Sequence, residues 1–263
     1  MAKPKIVTLF NQKGGVGKTT TSVLLCDYFE KKGKKILMVD LDPQGNTSQV
    51  FFDFTTLKQS PTLYDYFLRK ANLKTVIKPY NEQIDVLPAH LQMENLEEAD
   101  LNSWKTLTWR LKELFNKYDL VVLDCPPALN AFSELGLLMG QFVICPLVPE
   151  PFCYQGFTQA LGIIKMMKDS NEDFIDYMCL ISSFLSHKTI IRTDYTEEYK
   201  TQLGDKLFEN MLPNFIGVVE RGISHINMFD MYPENHKLMI QIENTMKEID
   251  TYLEEKSKGT EEE

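Results

Sequence analysis

Short runs of β-branched and other apolar residues alternate along this chain with longer segments whose apolar residues recur every three or four positions. The short runs predict buried strands, and the longer segments predict helices with one apolar face. We predict strands at 6–10, 36–39, 84–87, 120–123, 142–147 and 178–182, with a further short strand near 206–210. We predict helices at 18–32, 62–70, 102–118, 131–139, 154–169, 193–203 and 234–254. This alternation indicates an α/β fold with a single doubly wound, mostly parallel sheet and helices on both of its faces.

The last predicted helix has one apolar face and one acidic face. Its apolar side chains, at spacings of three and four, are Leu238, Ile242, Met246, Ile249 and Leu253. A helix that lies on a membrane carries lysines and arginines on its polar face, whereas this one is rich in glutamate and aspartate. We therefore expect it to pack against the protein body. Residues 1–255 are expected to form one domain, and the acidic residues 256–263 a disordered tail.

Composition and charge limit the classes of partner. With 43% hydrophobic and 25% charged residues among 263, the chain has the composition of a globular protein with a full-sized core. Its 28 basic and 37 acidic residues give a net charge of −9, so the average surface repels nucleic acid and anionic lipid. Any binding of nucleic acid must therefore use a local patch of basic residues.

Neither a metal–cysteine centre nor a membrane segment is expected. The five cysteines form no C-x-x-C pair and lie mostly in apolar runs, which is typical of buried, reduced thiols. The N-terminal residues lead directly into the first predicted strand, without the long apolar stretch of a signal peptide. The longest apolar runs are far too short to span a bilayer. We expect a cytoplasmic protein that does not bind membranes.

The segment from Thr8 to Leu25 carries the strongest chemical signal, because a predicted strand leads through a glycine-rich turn into a predicted helix. Glycines in such a turn let successive backbone amides point at phosphate oxygens. Lys18 can reach the β- and γ-phosphates of a nucleotide, and the Thr19 hydroxyl suits a Mg²⁺ ligand. We therefore expect ATP and Mg²⁺ as cofactors. The predicted nucleotide-binding residues are Lys13, Gly14, Gly15, Val16, Gly17, Lys18, Thr19 and Thr20.

The sequence of this loop, NQKGGVGKTTT, resembles the deviant Walker A box of the ParA/Soj/MinD family of partition and positioning ATPases, and most closely that of ParA and Soj. The resemblance implies a P-loop NTPase fold and slow, partner-stimulated hydrolysis of ATP. It also implies a role for the additional lysine of the box, here Lys13, which reaches across a nucleotide-sandwich dimer to the partner's phosphates. A cation in that position acts as an arginine finger does elsewhere. Lys13 and Lys18 are thus catalytic candidates.

Acidic residues end two of the predicted strands, and ligands of parallel sheets bind at the carboxyl ends of strands. The family resemblance extends to the sequence LDPQGN and assigns Asp42 to switch I, where it positions the attacking water. A turn-capping role is the alternative for Asp42. Asp124, at the end of another apolar run, has the form of a Walker B carboxylate that holds Mg²⁺ through a water. Asp40 belongs either to the metal shell or to the structural framework.

The resemblance also suggests an interface residue and DNA-binding residues. Glu150 matches a family glutamate near the dimer interface. The alternative is that Glu150 is only an acid at the start of a helix, where it interacts with the positive end of the helix. Two basic positions that bind nonspecific DNA in many ParA proteins correspond here to Lys188 and Gly217, so one charge is lost. The best local candidates for DNA binding are Lys188, Arg192 and Arg221. The charges from 185 to 206 sum to zero, which gives this segment no positive excess for phosphates.

Taken together, the resemblance implies a homodimer that forms with ATP, binds nonspecific DNA of the nucleoid and is released by a ParB-like adaptor. Other classes stay open. A related ATPase that positions a non-DNA cargo would use the same switch, and a MinD-like membrane ATPase would need a basic amphipathic C-terminal segment. A nitrogenase-reductase-like electron carrier would need interface cysteines, and an amido-ligase would need a substrate pocket.

Overall fold

A seven-stranded sheet forms the centre of the protein. The computed structural model describes residues 3–96, 101–150, 153–182, 190–213, 217–233 and 235–259, without the side chains of 101–107, 153–157 and 190–194. The strand order is β3-β4-β2-β5-β1-β6-β7, and β3 alone among the described strands runs antiparallel to its neighbour. This topology confirms the predicted, mostly parallel α/β sheet. The strands are β1 (Lys5–Leu9), β2 (Ile36–Asp40), β3 (Lys78–Pro79), β4 (Ile84–Leu87), β5 (Leu120–Asp124), β6 (Phe142–Leu147) and β7 (Asp176–Ile181).

Helices connect the strands and cover the sheet. Each predicted helix has a counterpart, but several short helices were not predicted because they span only one or two turns and show no apolar period. The predicted strand near 206–210 is wrong, because Leu207 and Leu212 form only isolated bridges with Cys179 and Ser182. The helices are α1 (Lys18–Lys31), α2 (Asn46–Phe51), α3 (Phe54–Lys58), α4 (Leu63–Phe67), α5 (Leu73–Val76), α6 (Leu101–Phe115), α7 (Ala131–Met139), α8 (Cys153–Lys168), α9 (Ile190–Leu203), α10 (Gly217–Ser224), α11 (Met228–Met231) and α12 (Lys237–Gly259).

Two hydrophobic cores lie on opposite faces of the sheet. Along β5, Val121 and Leu123 face one core, which also contains side chains of α6, α7 and α8. Leu120 and Val122 face the other core, which contains side chains of α1 and α12. Because side chains of a strand alternate between faces and both faces are covered, nearly every position of the central strands is apolar. This pattern is what made the strands recognisable in the sequence.

The C-terminal helix α12 packs against the body as predicted, but it is longer than predicted. Ile242, Met246, Ile249 and Leu253 of its apolar face are fully buried. The helix continues through residue 259 rather than ending at 254, since its last turn is held by further contacts. Lys256 Nζ lies 3.6 Å from Asp176 Oδ2 on β7. The predicted tail is therefore helical over 256–259, and residues 260–263 lie outside the described part of the chain.

A buried ion pair joins α1 to α10. The Arg221 guanidinium donates to both carboxylate oxygens of Asp27 at 3.0–3.2 Å and to the carbonyl oxygen of Val50 at 3.1 Å. Both charged side chains are fully buried, and the guanidinium also lies over the rings of Phe51 and Tyr80. The prediction that Arg221 binds DNA is thus wrong, because its charge is neutralised inside the protein.

We predict that Arg221→Met lowers the free energy of unfolding by about 3–5 kcal/mol, because it leaves the buried Asp27 carboxylate without a cation and with only the Met228 amide as a donor among the described residues. Burial already raises the pKa of Asp27 in the intact protein. Without the opposing charge of Arg221, the pKa of Asp27 in the folded protein should rise further. A raised folded-state pKa of an acid destabilises the folded protein as the pH rises above the unfolded-state pKa, so the loss should be larger at pH 8 than at pH 5. Urea unfolding at the two pH values measures both quantities.

Lys200→Met is the matched control, because Lys200 forms only an exposed ion pair with Glu197 on α9. It should change the free energy of unfolding by less than about 1 kcal/mol. An Arg221→Met variant as stable as this control would show that the buried pair does not hold α10 on α1.

Candidate functional site

The loop between β1 and α1 has the backbone of a phosphate cradle. Gly15 and Gly17 adopt left-handed φ angles of 71° and 98°, which residues with a side chain resist. Gly17 is also the N-cap of α1, so the loop ends at the positive end of a 14-residue helix. The predicted glycine-rich turn between a strand and a helix is therefore present at the carboxyl end of the central strand β1.

Lys18 lies inside this loop rather than in solvent. Its side chain is buried, and its Nζ donates at 3.0 Å to the backbone carbonyl oxygens of both Asn11 and Lys13. Burial lowers the pKa of Lys18, while the nearby carboxylate of Asp124 acts in the opposite direction. The ammonium group is thus held against the loop by two neutral carbonyl groups, and neither of them cancels its positive charge.

Asp124 at the end of β5 connects the loop with α2. Its Oδ2 accepts hydrogen bonds from the Thr19 hydroxyl at 2.8 Å and from the Thr47 hydroxyl. Its Oδ1 is buried and has no hydrogen-bond partner among the described residues. Burial raises the pKa of Asp124, as expected for a carboxyl taken out of water. A buried, unpartnered carboxylate oxygen beside a threonine hydroxyl is a set of donors that suits a hydrated divalent cation.

Asp40 pairs with Asp124 across β2 and β5 but uses its oxygens differently. Oδ2 accepts from both the amide and the hydroxyl of Ser48, at 2.8 and 2.7 Å, and Oδ1 accepts from the Asp42 amide at 3.1 Å. Burial, together with the neighbouring Asp124 charge, raises the pKa of Asp40 to about 8. These contacts favour the structural alternative for Asp40, because they fix the turn that follows β2.

Asp42 lies at the mouth of the site. Its Oδ1 accepts a hydrogen bond from the Gln44 amide at 3.0 Å, and the side chain is only partly buried. It lines a cavity of about 640 Å³ between the turn after β2 and the Pro126–Pro127 segment after β5. Asp42 is thus both a turn-capping residue and a residue that faces open space beside Asp124, so both of its predicted roles fit the geometry.

Lys13, at the rim of the loop, is paired within its own chain. Its Nζ lies 2.8 Å from Glu150 Oε2, and these side chains are 35% and 40% exposed. Asn11 fixes the start of the same loop, because its side-chain amide donates to the Pro146 carbonyl oxygen at 2.7 Å. The structure therefore brings together the two residues that were predicted separately as dimer-interface candidates.

The three residues predicted to bind DNA do not form a DNA-binding surface among the described residues. Lys188 lies outside the described residues, Arg192 lies on α9 without a described side chain, and Arg221 is buried as shown above. No cluster of three or more His, Cys, Asp or Glu side chains suited to a metal occurs in the described part of the chain. None of the described helices is both long enough and apolar enough to cross a membrane.

Three functional contacts were missed from the sequence. Thr47 and Ser48, which bind Asp124 and Asp40, belong to a short helix that has no apolar period. Asn11 joins the loop to β6, a contact between residues 135 positions apart. The only available signal was their position beside the LDPQGN and NQKGG sequences, and that position does not reveal the partners.

Several solved structures with this fold contain a nucleotide. A McdA variant from Cyanothece in complex with ATP superposes with a TM-score of 0.76, at 17% identity over 95% of this chain and 98% of that chain. A plasmid partition protein from Borrelia burgdorferi bound to AMPPNP gives a TM-score of 0.73, at 22% identity over 95% of this chain and 100% of that one. At these identities the similarity establishes the fold alone.

Sequence comparison is more specific. A family model described as an AAA domain matches residues 4–176. The sporulation initiation inhibitor protein Soj of Bacillus subtilis is 32% identical over 222 residues, which are 82% of this chain and 87% of that protein. The chromosome-partitioning ATPase Soj of Treponema pallidum is 30% identical, over 82% of this chain and 85% of its own. This chain therefore belongs to the ParA/Soj family of P-loop ATPases.

Proposed function

We propose that this protein is a Mg²⁺-dependent ATPase that forms a homodimer with ATP and acts in the partition of a plasmid or chromosome. In the ATP state it binds nonspecific DNA, and a ParB-like adaptor stimulates slow hydrolysis. The arrangement of the two loop lysines carries this proposal. Lys18 is buried against its own loop, whereas Lys13 lies at the rim beside Glu150, where a second subunit can meet it.

The residues present fit a nucleotide and its metal ion. The left-handed glycines, the Lys18 ammonium and the start of α1 together favour a phosphate chain on the loop. We assign Thr19 as a metal ligand and Asp124 as the carboxylate that holds the metal through a water, since Asp124 Oδ1 has no protein partner among the described residues. When bound, Mg²⁺ neutralises charge on the phosphates.

We assign Asp42 to the positioning of the attacking water. Its side chain lines the open cavity between the segments after β2 and β5, and Asp40 fixes its backbone through the Asp42 amide. A carboxylate that orients water acts mainly in the transition state, so it contributes more to turnover than to nucleotide binding. Its backbone anchor keeps the side chain close to Asp124.

We assign Lys13 the role of binding the partner's nucleotide. Glu150 holds Lys13 within its own subunit until the dimer forms. An exposed ion pair of this kind is worth about 0.2–1 kcal/mol, whereas a cation facing phosphates in a water-poor interface is worth several. Transfer of Lys13 from Glu150 to the partner's phosphates therefore favours the dimer only when a nucleotide is bound. The names of the relatives, which are partition proteins, support DNA as the cargo.

We predict that Asp42→Ala binds Mg²⁺-ATP and dimerises, while single-turnover phosphate release falls by about 100-fold or more. Asp53→Ala is the matched control, because Asp53 caps α3 through the Thr56 amide and is not among the residues that line the cavity at Asp42. It should hydrolyse ATP at the normal rate. An Asp42→Ala protein that light scattering finds monomeric with ATP would mean that Asp42 serves the turn rather than the water.

We predict that Lys13→Ala binds ATP within about tenfold of the wild-type affinity but stays monomeric with a nonhydrolysable analogue, because only the partner's phosphates lose a cation. Lys18→Ala should instead lose ATP affinity by more than tenfold, since its cation belongs to the subunit's own loop. Isothermal titration and size-exclusion chromatography measure the two effects. Normal dimerisation of Lys13→Ala would remove the lysine from the interface.

We predict that Glu150→Gln dimerises at a protein concentration about two- to fivefold lower than the wild type, because it no longer holds Lys13 within its own subunit. Sedimentation at a fixed, saturating concentration of ATP analogue measures the dimer dissociation constant. Glu197→Gln, which removes a more exposed ion pair on α9, should leave this constant unchanged. Weaker dimerisation of Glu150→Gln would show that Glu150 supports the interface directly.

A further inference from the structure

One surface cavity is lined by cations and by no acid among the described residues. It has a volume of about 700 Å³ and lies between the α4–α5 connection and α6. Its charged lining consists of Arg69, Lys74 and Arg110, which we call the basic basin, and Tyr66 and Asn72 are also among the lining residues. In a chain of net charge −9, an all-cationic lining is the kind of local patch that binding to an anion requires.

The three cations of the basic basin are available to a ligand. All are exposed, and none forms an ion pair with another described residue. Other lysine-lined cavities among the described residues differ in this respect. One of them is lined by four lysines and two acids, Asp119 and Glu254. Another is lined by three lysines and four acids. Acids therefore offset half of the positive charge in the first cavity and all of it in the second, whereas the described lining of the basic basin contains no acid.

The backbone at Arg69 provides an independent observation. Arg69 has a φ of 58° at the end of α4, where the amides of the next two residues both donate to the Asp65 carbonyl oxygen. Helices commonly end on a residue in this conformation, and glycine is the usual choice because a side chain costs about 1 kcal/mol there. An arginine at a position that favours glycine is consistent with a role for its charge.

We propose that the basic basin binds the phosphate backbone of a polynucleotide, independently of its sequence. This inference rests on the proposed partition function and names the surface through which DNA is held. Exposed arginines and lysines around an open surface are typical of backbone contacts, because counterion release requires no enclosure of the ligand. A site for a small phosphorylated molecule would bury most of its ligand, and exposed cations do not favour that arrangement.

The test is fluorescence anisotropy with a labelled 30-base-pair duplex of mixed sequence, in the presence of Mg²⁺ and a nonhydrolysable ATP analogue. The basin variant combines Arg69→Gln, Lys74→Gln and Arg110→Gln. Its affinity should fall at least tenfold at about 100 mM salt, and the slope of log K against log salt should become shallower by about two to three. ATP affinity should not change, because none of these residues touches the phosphate loop.

The control variant combines Lys34→Gln, Lys58→Gln and Lys237→Gln, which removes the same charge from exposed side chains elsewhere. It should bind the duplex within about threefold of the wild type, because separated exposed charges are screened. Arg69→Gly provides a second test that does not threaten folding, since glycine suits the backbone. It should keep or raise the melting temperature and still weaken duplex binding, an effect that a purely structural arginine would not have.

Several results would overturn the proposal. Equal, normal binding by both triple variants would place the DNA surface elsewhere and leave the proposed partition function intact. Equal loss in both would indicate an effect of net charge rather than of the basin. No duplex binding by the wild type would remove DNA from the proposed function as well, while ATP hydrolysis would still test the switch. Tripolyphosphate binding that only the basin variant loses, without duplex binding, would identify a small-anion site.

Discussion

The buried carboxylate of Asp124 is the contact on which the organisation of the site depends. It lies at the end of β5, between β1 and β2. It accepts hydrogen bonds from the hydroxyl groups of Thr19, at the start of α1, and Thr47, in α2. A carboxylate in this position is costly unless donors or a cation surround it. The starts of α1 and α2 are therefore held to the same oxygen atom, and the second carboxylate oxygen has no hydrogen-bond partner among the described residues, which is why we propose it for the water of a metal ion.

Arg221 connects the same two helices, α1 and α2, through a second set of hydrogen bonds. Its guanidinium binds the Asp27 side chain of α1 and the Val50 carbonyl oxygen of α2, so α10 closes a ring of contacts around the P-loop helix. The α2 helix is thus held at Thr47 by Asp124 and at Val50 by Arg221.

The sequence predicted the fold because parallel strands covered on both faces leave a nearly continuous apolar record, as in β5 and β6. It predicted the phosphate loop because glycine adopts the left-handed backbone found at Gly15 and Gly17 more readily than other residues. Residues whose role depends on distant partners were not predictable in the same way. Arg221 was taken for a surface cation because its acid, Asp27, is 194 positions away, and Thr47 has no pattern that connects it to Asp124. The long C-terminal helix was cut short because its acidic end resembles a solvated tail.

The proposed function requires that the cation of one subunit serves the nucleotide of the other. Mixing Lys13→Ala with Lys18→Ala tests it most directly, because the first retains the lysine that holds its own nucleotide and the second retains the lysine that reaches its partner. Each variant alone should be inactive, and the mixture should hydrolyse ATP well above the sum of the two, with a rate that depends on the concentration of both. A mixture no more active than its separate components would contradict action across the interface.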